Sequence, residues 1–344
     1  NVANTLMTVI IGGAVLALGY GLLPLIGAYV AAKALTLLLA RRMLALCEVR
    51  TAVGFNAELM KHMLGGAWPF FVTTMFVILY ARLDIVMLSF FRGEAEVGYY
   101  NAAYKLMEGM GLLAASFVTA VYPVLARLFV DQPDQLWHVY RRALRYLLAF
   151  VLPAAAGLTV VAPDLVPALF GEGFAPAAVA LMILVWGQML DGLNPLLAQT
   201  LRATDRERTV AWITGVGAGF NLTANLILIP PFGLYGAAAA TVASFALVYA
   251  INSRVLTKAL GPVKIGVPLV RTLLATGVMA LALWLLSRYA LTTMSMGWRA
   301  GLLVAAGTMM YPPLAVVFEV LDKDDRAFLG GLLKTKLKRK GAAS

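Results

Sequence analysis

Apolar residues fill this chain in blocks of about 20, the length at which an α-helix crosses the hydrocarbon of a bilayer. Short groups of Arg, Lys, Gly and Pro punctuate the blocks. Taking each block as one helix places spans at 4–22, 23–46, 68–91, 98–129, 143–162, 176–200, 209–229, 233–256, 268–288 and 298–320. The expected fold class is all-α, a polytopic membrane protein with about ten transmembrane helices. Two rival patterns fail. Helices around a soluble core keep one polar face, whereas Leu273 to Leu286 and Gly301 to Val317 are apolar on nearly every side. A membrane β-barrel needs short segments with two-residue alternation, and these blocks are too long and lack it.

The breaks group the helices. The stretch from Cys47 to Gly66 is long, and HMLGGAWPFF at its end reads as an interfacial segment turning into the third span. It separates residues 1–46 from the rest, with a connector at 47–67. A six-helix group follows at 68–257, then an extra helix pair at 258–321 and a basic tail at 322–344. Short connections within the group favour antiparallel neighbours, and the extra pair, the least polar, is expected at the periphery. The chain starts with Asn and enters a span almost at once, without a basic leader or cleavage pattern. It is therefore expected to be the C-terminal part of a longer protein.

Composition supports the membrane reading: 61% of residues are hydrophobic and 13% charged, and mean hydropathy is +0.84, outside the range of soluble domains. The net charge of +11 would suggest a nucleic-acid partner on a soluble surface, but its distribution argues otherwise. With Asn1 cytoplasmic, the basic residues at 41–61, 127–145, 202–208, 254–271 and 323–340 all fall on the inner side, as the positive-inside rule requires. Only Arg92, Arg288 and Arg299 fall outside, and Lys33, Arg82 and Lys105 lie within spans. Both termini are thus expected in the cytoplasm, and no nucleic-acid partner is expected.

Little in the chain suggests catalysis. The lone Cys47 excludes an internal disulfide, and the two histidines, His62 and His138, fall in expected inner connections. The acidic run Asp322, Asp324 and Asp325 reads as a solvated turn. GVGAGF at Gly215 to Phe220 lies inside an apolar helix, so its glycines suit close helix contact rather than a nucleotide loop. No catalytic residue, metal or cofactor is expected.

The polar residues inside spans are the informative ones, because a charge in a spanning helix is costly and marks a pathway. Arg82 and Asp84 lie roughly 13 and 10 Å below the outer end of their helix, and Lys105 and Glu108 roughly 10 and 15 Å below the outer end of the next, at about 1.5 Å per residue. Across a short turn this depth match allows Arg82 to pair with Glu108 and Asp84 with Lys105. Such pairs either lock two helices or line a cavity whose cations attract an anionic substrate, which Lys33, at similar depth, could join. A second polar set lies deeper: Gln188, Asp191, Asn194 and Gln199 on one span, which Pro195 should bend, and Asn221 and Asn225 one turn apart on the next. Amides here serve either as interhelical glue or as contacts to sugar hydroxyls or a coupling ion. Asp191, the unpaired acid of the set, is the candidate for a coupling proton or cation.

RLDIVMLSFFRGEAEVGYYNAAYKL at 82–106, FGEGFAPAAVAL at 170–181 and IPPFGLYGAAAATVAS at 229–244 together resemble landmarks of the polysaccharide transporter branch of the multidrug/oligosaccharidyl-lipid/polysaccharide flippase superfamily, which includes the O-antigen flippases. The resemblance implies a two-lobe fold of fourteen helices, two lobes of six and a final pair, of which this chain would hold the last ten. It also implies outward flipping of a polyprenyl-diphosphate-linked oligosaccharide by alternating access in a bacterial or archaeal cell membrane. The expected partners are that lipid-linked oligosaccharide and membrane lipids, with a coupling cation left open. Arg82, Lys105 and Lys33 would then hold the diphosphate, Gln188, Asn194, Asn221 and Asn225 would meet the sugar, and Asp84, Glu108 and Asp191 would pair with cations or couple an ion. Two alternatives remain: a multidrug exporter of the same superfamily, and a membrane-embedded polysaccharide polymerase or acyltransferase, against which the absence of intramembrane histidines stands.

Overall fold

A computed structural model describes residues 10–15, 17–19, 22–46, 57–131, 133–204, 206–261 and 266–320. Among these the regular structure is entirely helical: α1 (Leu22–Leu46), α2 (Ala57–Arg92), α3 (Glu94–Asp131), α4 (Pro133–Phe170), α5 (Ala175–Ala203), α6 (Glu207–Leu260), α7 (Gly266–Leu285) and α8 (Met296–Val317). A 3-10 turn at Glu172–Phe174 precedes α5, and a π-turn at Leu286–Ala290 follows α7. Six helices among the described residues are long and apolar enough to cross a membrane. The chain is a multi-pass, all-α membrane protein. The basic tail and Asp322 lie outside the described residues, as do residues 4–9, 16, 20 and 21 of the first expected span and residues 47–56.

Two compact units divide at Thr74 and Met75. In the first, α1 is mostly apolar, broken by Lys33, Arg41 and Arg42, with Leu23, Leu37 and Leu38 exposed and Ala32 buried. α2 begins at Ala57, so HMLGGAWPFF is helical and not an interfacial turn. Its two glycines each cost about 1 kcal/mol relative to Ala, which the apolar run that follows outweighs.

In the second unit, α3 and α4 exceed their expected spans. α3 and α4 have 38 residues each, about 57 Å at 1.5 Å per residue, against a hydrocarbon thickness of about 30 Å. The expected inner loop before residue 143 is therefore helix from Pro133, a residue suited to a first helical turn. Leu136, Tyr140 and Ala143 are buried at helical spacing, a periodicity that the surrounding polar residues masked.

α5 is the hub, packing on α3, α4 and α6. Around one half lie Leu88, Tyr100, Met107, Leu181 and Leu184. Around the other lie Leu125, Leu144, Leu147, Leu193 and Leu197. Ala103, Ala177, Ala180, Ala237 and Ala240 are fully buried, since small side chains let membrane helices approach where no hydrophobic effect drives them together. Large apolar side chains such as Trp212, Ile227 and Met309 point outward, as a lipid-facing surface requires.

α6 is a helical hairpin. Gly233 has φ 57° and ψ −134°, a conformation essentially reserved for glycine. At Gly236 any Cβ would overlap the Leu228 carbonyl of the opposite arm, and at Gly217 it would overlap the Val248 side chain. The close-contact reading of the GVGAGF segment thus holds at Gly217, whereas nothing lies within 4 Å of a Cβ at Gly215 or Gly219. The turn is fastened by Glu96, whose Oε2 accepts a 2.8 Å hydrogen bond from the Leu234 N–H and whose Oε1 pairs with Arg92 at 3.2 Å. α7 and α8 pack on α4 and on each other. Arg299 Nη2 lies 3.4 Å from Asp164 Oδ2 and donates to Ser287 Oγ at 3.0 Å, which joins α8 to α4 and the π-turn.

Candidate functional site

The charged residues of α2 and α3 meet across the turn at Gly93. Arg82 Nη2 reaches Glu108 Oε1 at 3.3 Å, the first of the two expected pairs. The second pair does not form. Lys105 Nζ instead reaches Glu108 Oε2 at 3.1 Å, three residues along its own helix, so one carboxylate holds both cations with one oxygen each. The Arg82 guanidinium also lies over the Tyr104 ring, 5.3 Å from its centroid, within cation–π range. The side chains of Arg82 and Glu108 are 42% and 38% exposed and that of Lys105 is 70% exposed, so the cluster is open to a ligand.

Asp84 faces the other way. It is buried, and its Oδ2 accepts a 2.6 Å hydrogen bond from the Tyr100 hydroxyl while Oδ1 accepts from the Ile85 N–H at 2.9 Å. The Tyr100 proton is committed to the carboxylate, so the Thr241 hydroxyl at 3.3 Å donates to the Tyr100 oxygen. This buried chain ties α2, α3 and α6 together behind the exposed cations. Sequence reasoning missed Tyr100 and Thr241, although a tyrosine within a span calls for a partner for its hydroxyl.

The deeper polar residues separate into two places. Gln188 lies one turn before Asp191 on α5 and packs against α3, so that a Cβ at Gly111 would overlap its amide. Asn194, Asn221 and Asn225 are buried in the packing of α5 on α6. Asn194 Nδ2 donates to the Phe245 carbonyl at 3.5 Å, Asn221 Nδ2 to Ser244 Oγ at 3.1 Å and Asn225 Nδ2 to Asn221 Oδ1 at 3.0 Å. The Asn194 and Asn221 bonds cross between packed helices, whereas the Asn225 bond runs along one arm. Pro195 sits within an unbroken α5. Lys33 is exposed on α1, in the first unit. Among the described residues no three His, Cys, Asp or Glu side chains converge as a metal site.

These features define a multi-pass helical membrane protein that keeps one open charged face within an apolar bundle. The family model described as "Polysaccharide biosynthesis protein" matches residues 1–179, and the chain belongs to that family. It is 26% identical over 169 residues to the probable low-salt glycan biosynthesis flippase Agl15 of Haloferax volcanii, covering 49% of this chain and 36% of that protein. It is 27% identical over 214 residues to the probable flippase AglR of the same organism, covering 61% of this chain and 45% of that protein. The chain thus spans less than half the length of these curated relatives. Its fold is similar to that of the lipid II flippase MurJ in an inward closed conformation, with a TM-score of 0.73 at 17% identity, covering 92% of this chain and 66% of that one.

Proposed function

We propose that this chain is part of a flippase that carries an oligosaccharide, joined through diphosphate to a polyprenol lipid, from the inner to the outer leaflet during assembly of cell-surface polysaccharide such as O-antigen. The observation that carries the reading is the open pair of cations, Arg82 and Lys105, sharing one carboxylate in a mainly apolar bundle. Charges at such a position are costly and are kept for a pathway, and two cations beside an aromatic ring suit a diphosphate next to a sugar. An inside-negative potential assists outward movement of an anion by about 2.3 kcal/mol per charge per 100 mV. Transport of this kind needs no covalent step, so no side chain is given a catalytic role.

In this reading residues 1–46 hold the last two helices of an N-terminal lobe, 68–257 form a C-terminal lobe, and 258–321 are an added pair. The lobes open alternately to either side, with both ends of this chain in the cytoplasm. Asp191, beside Gln188, is the place for a coupling proton or cation. A groove of about 1050 Å³ between α3, α4, α7 and α8, lined by Met110, Phe150, Leu158, Leu303 and Tyr311, offers hydrocarbon contact to a lipid tail.

The test is to replace Arg82 and Lys105 together by Ala in the full-length protein and to follow lipid-linked oligosaccharide appearing on the outer face of cells or vesicles. Flipping should fall at least about ten-fold, since removing charge-assisted bonds to an anion costs about 1.5–3 kcal/mol each. Wild-type flipping in a correctly folded double variant would overturn the assignment.

A further inference from the structure

We infer that Glu108 is a resident stand-in for the substrate's anionic group, which the diphosphate displaces on entry and which Glu108 replaces on release. The inference rests on the reading of Arg82 and Lys105 as the anion site and adds the device that regulates it. Three observations support it. Glu108 spends both carboxylate oxygens on cations from two different helices, 3.3 Å from Arg82 and 3.1 Å from Lys105. All three side chains are partly exposed, unlike the buried Asp84 that fastens the same helices through Tyr100. Helix locking is therefore already supplied elsewhere, and the Glu108 bridge adds little to it. The cluster also carries one net positive charge, enough to draw in an anion but not to hold it as two unopposed cations would.

The physical need is clear. Two partly exposed cations held side by side between transport cycles would repel each other, a cost that nothing else beside them offsets. A carboxylate on the same helix as Lys105 removes that cost and competes with the diphosphate at close to intramolecular concentration. The competition weakens substrate binding and so hastens release on the far side. Glu108 thus exchanges affinity for turnover.

The experiment uses purified full-length protein and measures binding of inorganic diphosphate and farnesyl diphosphate by isothermal titration calorimetry. Because two partly exposed ion pairs are released, Glu108→Gln should tighten both ligands by about ten-fold, equivalent to about 1.4 kcal/mol, while slowing flipping. Glu108→Asp, whose shorter side chain cannot span both cations, should fall between wild type and Glu108→Gln, and it carries the test if Glu108→Gln does not fold. Arg82→Gln and Lys105→Gln should weaken both ligands. If the cation variants weaken binding but neither Glu108 variant tightens it, the stand-in is refuted and the anion site survives. If the cation variants bind as wild type does, the anion site itself falls. A gain confined to farnesyl diphosphate would also refute the proposal, because a tail cannot compete with a carboxylate.

Discussion

Replacing Tyr100 by Phe removes a single oxygen from a fully buried side chain, at the point where α2, α3 and α6 are joined. Two bonds are lost, of unequal strength. The 2.6 Å contact to Asp84 falls in the range of O–H bonds to a carboxylate, and hydrogen bonds to charged groups contribute about 1.5–3 kcal/mol. The 3.3 Å contact with Thr241 is neutral, and neutral interhelical bonds in membranes average about 0.6 kcal/mol. Tyr100→Phe should therefore cost about 2–3.5 kcal/mol and Thr241→Val only about 0.6 kcal/mol. The assay is reversible unfolding of the full-length protein in mixed micelles, run as a double-mutant cycle with Asp84→Asn. A coupling between Tyr100 and Asp84 of at least about 1.5 kcal/mol is expected, and a value within the roughly 0.5 kcal/mol scatter of independent sites would refute the argument.

Two further outcomes follow from the packing. Gly236→Ala places a methyl group against the Leu228 carbonyl, backbone that cannot move aside, so folded protein in fluorescence-detected gel filtration should collapse, consistent with a cost of about 3 kcal/mol or more; Gly219→Ala, with nothing within 4 Å of its Cβ, should behave as wild type. Arg299→Ala strands Asp164, only 9% exposed, and should cost about 3 kcal/mol, whereas Arg271→Ala breaks the half-exposed pair with Glu319 and should cost no more than about 1 kcal/mol. Equal losses in chemical unfolding would contradict that ranking.

Which parts of this were legible in the sequence follows from what hydropathy and depth encode. Apolar blocks located α3 to α8 and the reversal near Gly233, and counting rise per residue found Arg82 opposite Glu108. Depth says nothing of direction around a helix, however. Two residues turn an α-helix by about 200°, so Arg82 and Asp84 point to opposite sides of α2 and could not both meet the charges of α3. Lys105 and Glu108, three apart, share a face instead. The same limit hid the Asp164–Arg299 pair, whose members are 135 residues apart in number and meet only once α8 docks on α4. The amides of α5 and α6 were recognisable as polar, but whether they faced a substrate or each other depended on packing that no local pattern records.

The hairpin of α6 bears on how the chain is made. Asn221 finds its partner Ser244 23 residues later, and with the chain growing at about 5–20 residues per second, the first arm waits about one to five seconds for the second. During that interval Asn221 Nδ2 would stand without Ser244 in hydrocarbon, and no loop separates the arms to let them settle one at a time. Entry of both arms as one unit would satisfy Asn221 before it meets hydrocarbon.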